Sequence, residues 1–121
     1  MKLFVADYNL IRDSAFTLSS SGESSQKFDF DLDFRVGMSQ PSILAFVVSV
    51  ASGSSAPVLQ VSVNGTQRDT ALPAGPFVTG LSQVIGGSQL HQGTNNITFA
   101  ISGGTGSLEV SDVVLHYQRE T

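Results

Sequence analysis

From Lys27 to Arg35 the chain reads KFDFDLDFR, apolar and acidic residues in strict alternation. A period of two is the mark of a β-strand, whose successive side chains point to opposite faces. It sets Phe28, Phe30, Leu32 and Phe34 on one face and Asp29, Asp31 and Asp33 on the other. The same period runs through VLQVSV (58–63), NITFAI (96–101) and LEVSDVVLHY (108–117). In the last of these Leu108, Val110, Val113 and Leu115 turn inward and His116 faces solvent. SILAFVVSV (42–50) is more continuously apolar and predicts a central strand. Between these runs lie turn signals: SSSGESS (19–25), SGSS (52–55), Asn64-Gly65, Gly86-Gly87 and Gly103-Gly104. Asn64-Gly65 suits a two-residue type I′ hairpin, because both central positions there need positive φ. ALPAGPF (71–77) holds two prolines and reads as a loop or edge segment. TGLSQVIGGSQLHQG (79–93) is open between a short helical turn and a broken strand, since Leu81, Val84 and Ile85 have helix-like spacing.

Strands spaced this way, without a helical pattern of 10 to 15 residues between them, predict an all-β fold: a single antiparallel β-sandwich, jelly-roll-like, with about eight strands spanning 1–121 as one domain. Its core is expected from Phe28, Phe30, Leu32, Phe34, Leu44, Phe46, Val48, Leu59, Val61, Val63, Ile97, Phe99, Ile101, Leu108, Val110, Val113 and Leu115. A chain of 121 residues is long enough to bury such a core.

Charge narrows the partners. Only 13% of residues are charged, the net charge is −4, and the six basic residues are scattered, so no basic stripe exists to neutralise phosphates. Nucleic acid is not an expected partner. There is no cysteine, hence no disulfide and no thiolate metal site. The longest apolar runs fall far short of the roughly 20 residues that span a bilayer as a helix, so membrane insertion is not expected. MKLFVADYNLIRDS, interrupted by Asp7, does not read as a signal peptide. The expectation is a cytoplasmic product, released without a leader or carried into an extracellular particle. For the same reason the Asn-x-Thr sequons at Asn64 and Asn96 read as coincidental.

The second half carries a resemblance. VLQVSVNGTQ, then LHQGTNNITFAI, then SLEVSDVVLHYQ resemble the closing strands of galactose-binding-domain-like jelly rolls, the β-sandwich of many carbohydrate-binding modules. The matching positions are Val61, Val63, Asn64 and Gly65, then Leu90, Gly93, Asn95, Ile97 and Phe99, then Leu108, Val110, Val113 and Leu115. The resemblance implies a sandwich and a sugar-binding role. It transfers no binding residue, because the chain has no tryptophan and lacks an acidic calcium loop.

Asp29, Asp31 and Asp33 match the first three ligand places of an EF-hand loop, but Phe34 stands where that loop needs Gly and Gln40 where it needs Glu. They remain candidates for a different calcium site, calcium being the one cofactor left open; the plain reading is a solvated acidic face that keeps other strands from pairing. A Ser-His-Asp device would need His91 or His116 beside a nucleophile, and no G-x-S-x-G elbow is present. SGGTGS (102–107) lacks the Lys-Ser/Thr and the helix of a phosphate cradle and reads as a hairpin. No enzyme is expected. Tyr8, Phe77 and Tyr117 are the candidate aromatic platforms for a sugar ring, with His91 and Asn95 as polar partners.

Two functions follow. One is a non-catalytic carbohydrate-binding module or small lectin that binds a glycan through the sandwich loops. The other is a structural subunit of a symmetric assembly, such as a phage or virus particle, an injection device or a filament, with LFVADYNLI (3–11) docking on a neighbour. In either role the chain is expected to form a homo-oligomer.

Overall fold

The computed structural model describes residues 3–33, 36 and 41–120. These hold nine strands: β1 (Phe4–Arg12), β2 (Phe16–Ser19), β3 (Ser25–Leu32), β4 (Pro41–Val50), β5 (Ser55–Val63), β6 (Thr66–Ala71), β7 (Phe77–Gly86), β8 (Gly93–Thr105) and β9 (Ser107–Glu120). One turn of 3-10 helix, Gly87–Gln89, links β7 to β8. Two antiparallel sheets result, β1-β9-β4-β7 with β2 also beside β9, and β3-β8-β5-β6.

The pairings nest. β5 pairs with β6, β4 with β7, β3 with β8, and β2 and β1 with successive stretches of β9. The chain is therefore one long hairpin whose tip is Asn64-Gly65, rolled so that successive pairs fall alternately into the two sheets. This is the jelly-roll arrangement. At the tip Asn64 has φ 49° and Gly65 φ 90°, the two left-handed residues of the expected type I′ turn.

The count of nine rather than eight has a local cause. The first strand of the roll is broken at residues 13–15 into β1 and β2, alongside an irregularity in β9. There Ala45 and Val47 of β4 lie opposite Val114 and Ser111, so one residue of β4 spans two of β9, and Asp112 sits at φ 54°. Such a bulge resets the alternation. That is why Leu108 and Val110 are buried, and then Val113, Leu115 and Tyr117. LFVADYNLI is used within its own chain, as the partner of β9.

The open stretch 79–93 resolves mostly as strand. Ile85 turns into the core and Leu81, four positions earlier and so in the same strand phase, packs against it, whereas Val84 points out. Helical geometry survives only at Gly87–Gln89. SGGTGS makes the β8–β9 hairpin, and residues 72–76 form the loop after β6.

Every expected core residue among those described is buried, except Phe28 and Ile101, which are half-buried against the core; Phe34 lies outside the described residues. On the half-buried Phe28 the Arg12 guanidinium stacks, 4.7 Å from the ring centre. Phe16, Phe99 and Phe46 form a chain of edge-on ring contacts at 5.3 and 5.4 Å that joins the two sheets.

The two outer faces differ. On the β3-β8-β5-β6 sheet, Lys27, Thr98, Ser62 and Gln67 lie in one cross-strand row, and Asp29, Asn96, Gln60 and Asp69 nearby. That face is polar. On the other sheet, one row is Tyr8, His116, Ile43 and Val84 and the next is Leu10, Val114, Ala45 and Ser82. No carboxylate, ammonium or guanidinium falls in either of those rows.

Candidate functional site

The residues singled out in the sequence do not converge. Tyr8 is 67% exposed on the outer face of β1. Phe77 opens β7 and packs half-buried against the core. Tyr117 was expected as an exposed platform; it is 5% exposed, because it continues the inward phase of Val113 and Leu115. Asp7, which is paired with Arg119 at 3.1 Å, lies near enough to act on the Tyr117 phenol. Burial first, and the Asp7 carboxylate second, push that phenol above its ordinary value of 10.0.

Asn95 was expected among the ligand-binding residues, and it is fully buried with its amide already satisfied. Its Oδ1 accepts from the His91 backbone N–H (2.8 Å) and from Asn64 Nδ2 (2.9 Å). Its Nδ2 donates to the carbonyls of His91 (2.8 Å) and Gly93 (3.1 Å). Asn64 extends the network: Nδ2 donates to the Gln89 carbonyl at 2.6 Å and Oδ1 accepts from the Asn96 N–H at 2.9 Å. Two asparagines thus bind the tip of the hairpin to the 3-10 turn and to the start of β8. His91 contributes its backbone, and its side chain is exposed.

Asp29, Asp31 and Asp33 stay spread along the strand and the turn after it, all exposed. Asp31 accepts the Thr94 hydroxyl at 2.8 Å. Among the described residues no group of three or more acidic, histidine or cysteine side chains is gathered to hold a metal ion. Because β3 is the outer strand of its sheet, the carboxylates stand where they oppose pairing with a foreign strand.

What the fold does bring together lies at the edge where β6 of one sheet meets β7 of the other. A cleft of about 240 Å³ opens there, with Val63, Val84 and Ile85 as apolar walls and Thr66, Gln67, Arg68, Gln83 and Gln89 as polar ones. Its origin is the sequence of β6, TQRDTA. Thr66, Arg68 and Thr70 pair with the buried Val63, Val61 and Leu59 and so share their inward side, yet none is apolar. Edge strands that present polar side chains inward cannot seal the sandwich, and the gap between them stays wet.

Arg68 has no ion-pair partner among the described residues. Gln89 is set in place from below, since its carbonyl accepts the Asn64 amide. Among the described residues the lining holds five NH-rich or hydroxyl side chains and no carboxylate. Such a set can donate to and accept from several hydroxyls at once. It offers no acid and base pair for hydrolysis. The signal for these residues was present in the sequence as a strand after the Asn-Gly turn that lacks an apolar face.

No protein-family model matches the chain, and no curated protein matches it in sequence. Solved structures do resemble it. A β-porphyranase of glycoside hydrolase family 86 from the human gut bacterium Bacteroides plebeius aligns at 21% identity and TM-score 0.63, over 99% of this chain and 21% of that one. The GH26-CBM35 β-(1,4)-mannanase of Podospora anserina aligns at 12% identity and TM-score 0.53, over 93% of this chain and 27% of that one. The Drosophila NLP core, described for pentamer formation and histone binding, aligns at 13% identity and TM-score 0.52, over 97% of this chain and 98% of that one. The chain thus spans about a fifth of the porphyranase. At these identities the likenesses establish the β-sandwich fold, one that occurs within carbohydrate-active enzymes.

Proposed function

We propose that this chain is a non-catalytic, galactose-binding-domain-like sandwich that binds a glycan in the β6–β7 edge cleft. The observation that carries the reading is the cleft lining: the Arg68 guanidinium and the amides of Gln67, Gln83 and Gln89 above Val63 and Ile85. Sugar recognition needs directional donors and acceptors for hydroxyls together with an apolar patch for the C–H side of the ring, and both are present. The volume is below the roughly 300–1,000 Å³ of drug-sized pockets, which suits a terminal or single sugar unit. The sandwich neighbours within a porphyranase and a mannanase support the same reading. The absence of a carboxylate from the lining supports a binding role over a hydrolytic one.

Without an aromatic platform a single cleft binds weakly, and useful strength comes from several clefts acting on one polymer. A glycan array followed by calorimetry tests this. Arg68→Ala is expected to weaken binding of the best array ligand by about 10-fold or more, as loss of a charged hydrogen bond worth roughly 1.5–3 kcal/mol implies. Absence of binding to every glycan at millimolar concentration, or an Arg68→Ala variant that binds as well as the wild type, defeats the proposal.

A further inference from the structure

The outer face of the β1-β9-β4-β7 sheet is built as though it were covered. Tyr8, Ile43 and Val84 are 67%, 44% and 63% exposed in one cross-strand row, and Leu10 is 52% exposed in the next. A sheet face that meets water on its own alternates apolar inside with polar outside. The β3-β8-β5-β6 sheet obeys that rule and this one does not. Scattered apolar residues on a surface mean little, but these are adjacent in register, and contiguous patches of several hundred Å² mark an interaction site.

We infer that this face docks a second copy of the same chain, sheet against sheet. Size supports it. Strands about 4.8 Å apart and rows about 6.7 Å apart, over four strands and the two central rows with the flanking ones of Ala6, Gln118, Pro41 and Gly86 and of Ser111, Val47 and Gly80, give a flat projection of roughly 500 Å². Side-chain relief and a rim raise the accessible area toward the about 800 Å² per partner of a standard interface. Charge supports it too. A two-fold interface sets each patch against itself, so a like charge near the axis meets its own image. The two central rows contain no carboxylate, ammonium or guanidinium, and His116 among them is solvent-exposed. A dissimilar partner is usually selected by complementary charge, and none is displayed here. Flat apolar sheets stack about 10 Å apart and let side chains from both faces interlock.

Sedimentation velocity at about 100 µM tests the inference, at a concentration that populates a complex of micromolar affinity. The wild-type chain is expected to sediment with the mass of two copies. Ile43→Glu and, separately, Tyr8→Glu should halve that mass while the circular dichroism spectrum is unchanged, because both side chains point outward. Lys27→Glu, on the polar face of the other sheet, should leave the dimer intact. A monomeric wild type, or Ile43→Glu and Tyr8→Glu variants that both remain dimeric, overturns the inference. Val84 borders both surfaces, but neither Ile43 nor Tyr8 lines the β6–β7 cleft, so these two variants report on self-association without altering the cleft lining.

Discussion

Exchanging Asn95 for Asp changes one atom and removes two donors. The side chain is 0% exposed, and its Nδ2 now donates to the carbonyls of His91 and Gly93 at 2.8 and 3.1 Å. A carboxylate keeps the two acceptor contacts to the His91 N–H and the Asn64 amide, but it turns lone pairs toward the two carbonyl oxygens. Each buried group left without a partner costs roughly 1–3 kcal/mol, so the loss should be about 2–5 kcal/mol. Domains of this kind are stable by only about 5–15 kcal/mol in all. With a urea slope of about 1–3 kcal/mol/M, the unfolding midpoint should fall by about 1–3 M.

Circular dichroism is the suitable probe, since the chain has no tryptophan. The pH dependence has a definite sign. The introduced carboxyl is buried beside two carbonyls, so its folded pKa lies above its unfolded one. The variant is therefore closest to the wild type below the unfolded value and loses stability as pH rises through the folded value. Should Asn95→Asp unfold within about 0.5 kcal/mol of the wild type at pH 7, the network would not be holding the tip of the hairpin and the argument fails.

Tyr117 gives a second pH signature. Its folded pKa is raised, so the phenol contributes stability that is present below about pH 10 and is lost as pH rises through the folded value. Alkaline melting curves should therefore fall more steeply for the wild type than for Tyr117→Phe, and parallel curves above pH 10 would contradict the buried phenol beside Asp7. Phe30→Asp places an unpaired charge at a 7% exposed position and should abolish cooperative unfolding by circular dichroism. A soluble, cooperatively melting Phe30→Asp variant would refute the register of β3.

The strands were legible wherever the alternation was strict. Phe28 to Leu32, Val58 to Val63 and Ile97 to Phe99 gave their inward faces directly, and Asn64-Gly65 gave its turn type. Tyr117 belongs to the inward set by plain alternation from Val113 and Leu115, the phase that the bulge at Asp112 and Val113 establishes. Treating it as a free aromatic overlooked that continuation. Asn95 read as a polar residue near a turn, and nothing local tells that Asn64, distant in sequence, arrives beside it to share its amide.

The cleft was harder still. It is assembled from β5 and β6, β7 and the 3-10 turn, and no segment by itself carries its chemistry. The visible trace is TQRDTA, a strand without an apolar face. The apolar outer face was equally hidden, because Tyr8, Ile43 and Val84 come from three strands and become neighbours only once the register is known.

Nesting also decides what can be separated from what. The segment that resembles carbohydrate-binding jelly rolls begins at Val58 and includes β6 to β9 with most of β5, yet in the folded sheet β7 and β9 do not touch each other: β4, from the first half, lies between them. Likewise β8 is hydrogen-bonded on one side to β5 and on the other to β3. Cutting the chain near its middle would leave each fragment with strands whose partners are in the other. The sandwich is thus indivisible: of the half that displays the familiar pattern only β8, β5 and β6 stay paired, while β7 and β9 lose the strand that joins them, so that half alone cannot close two sheets over a core.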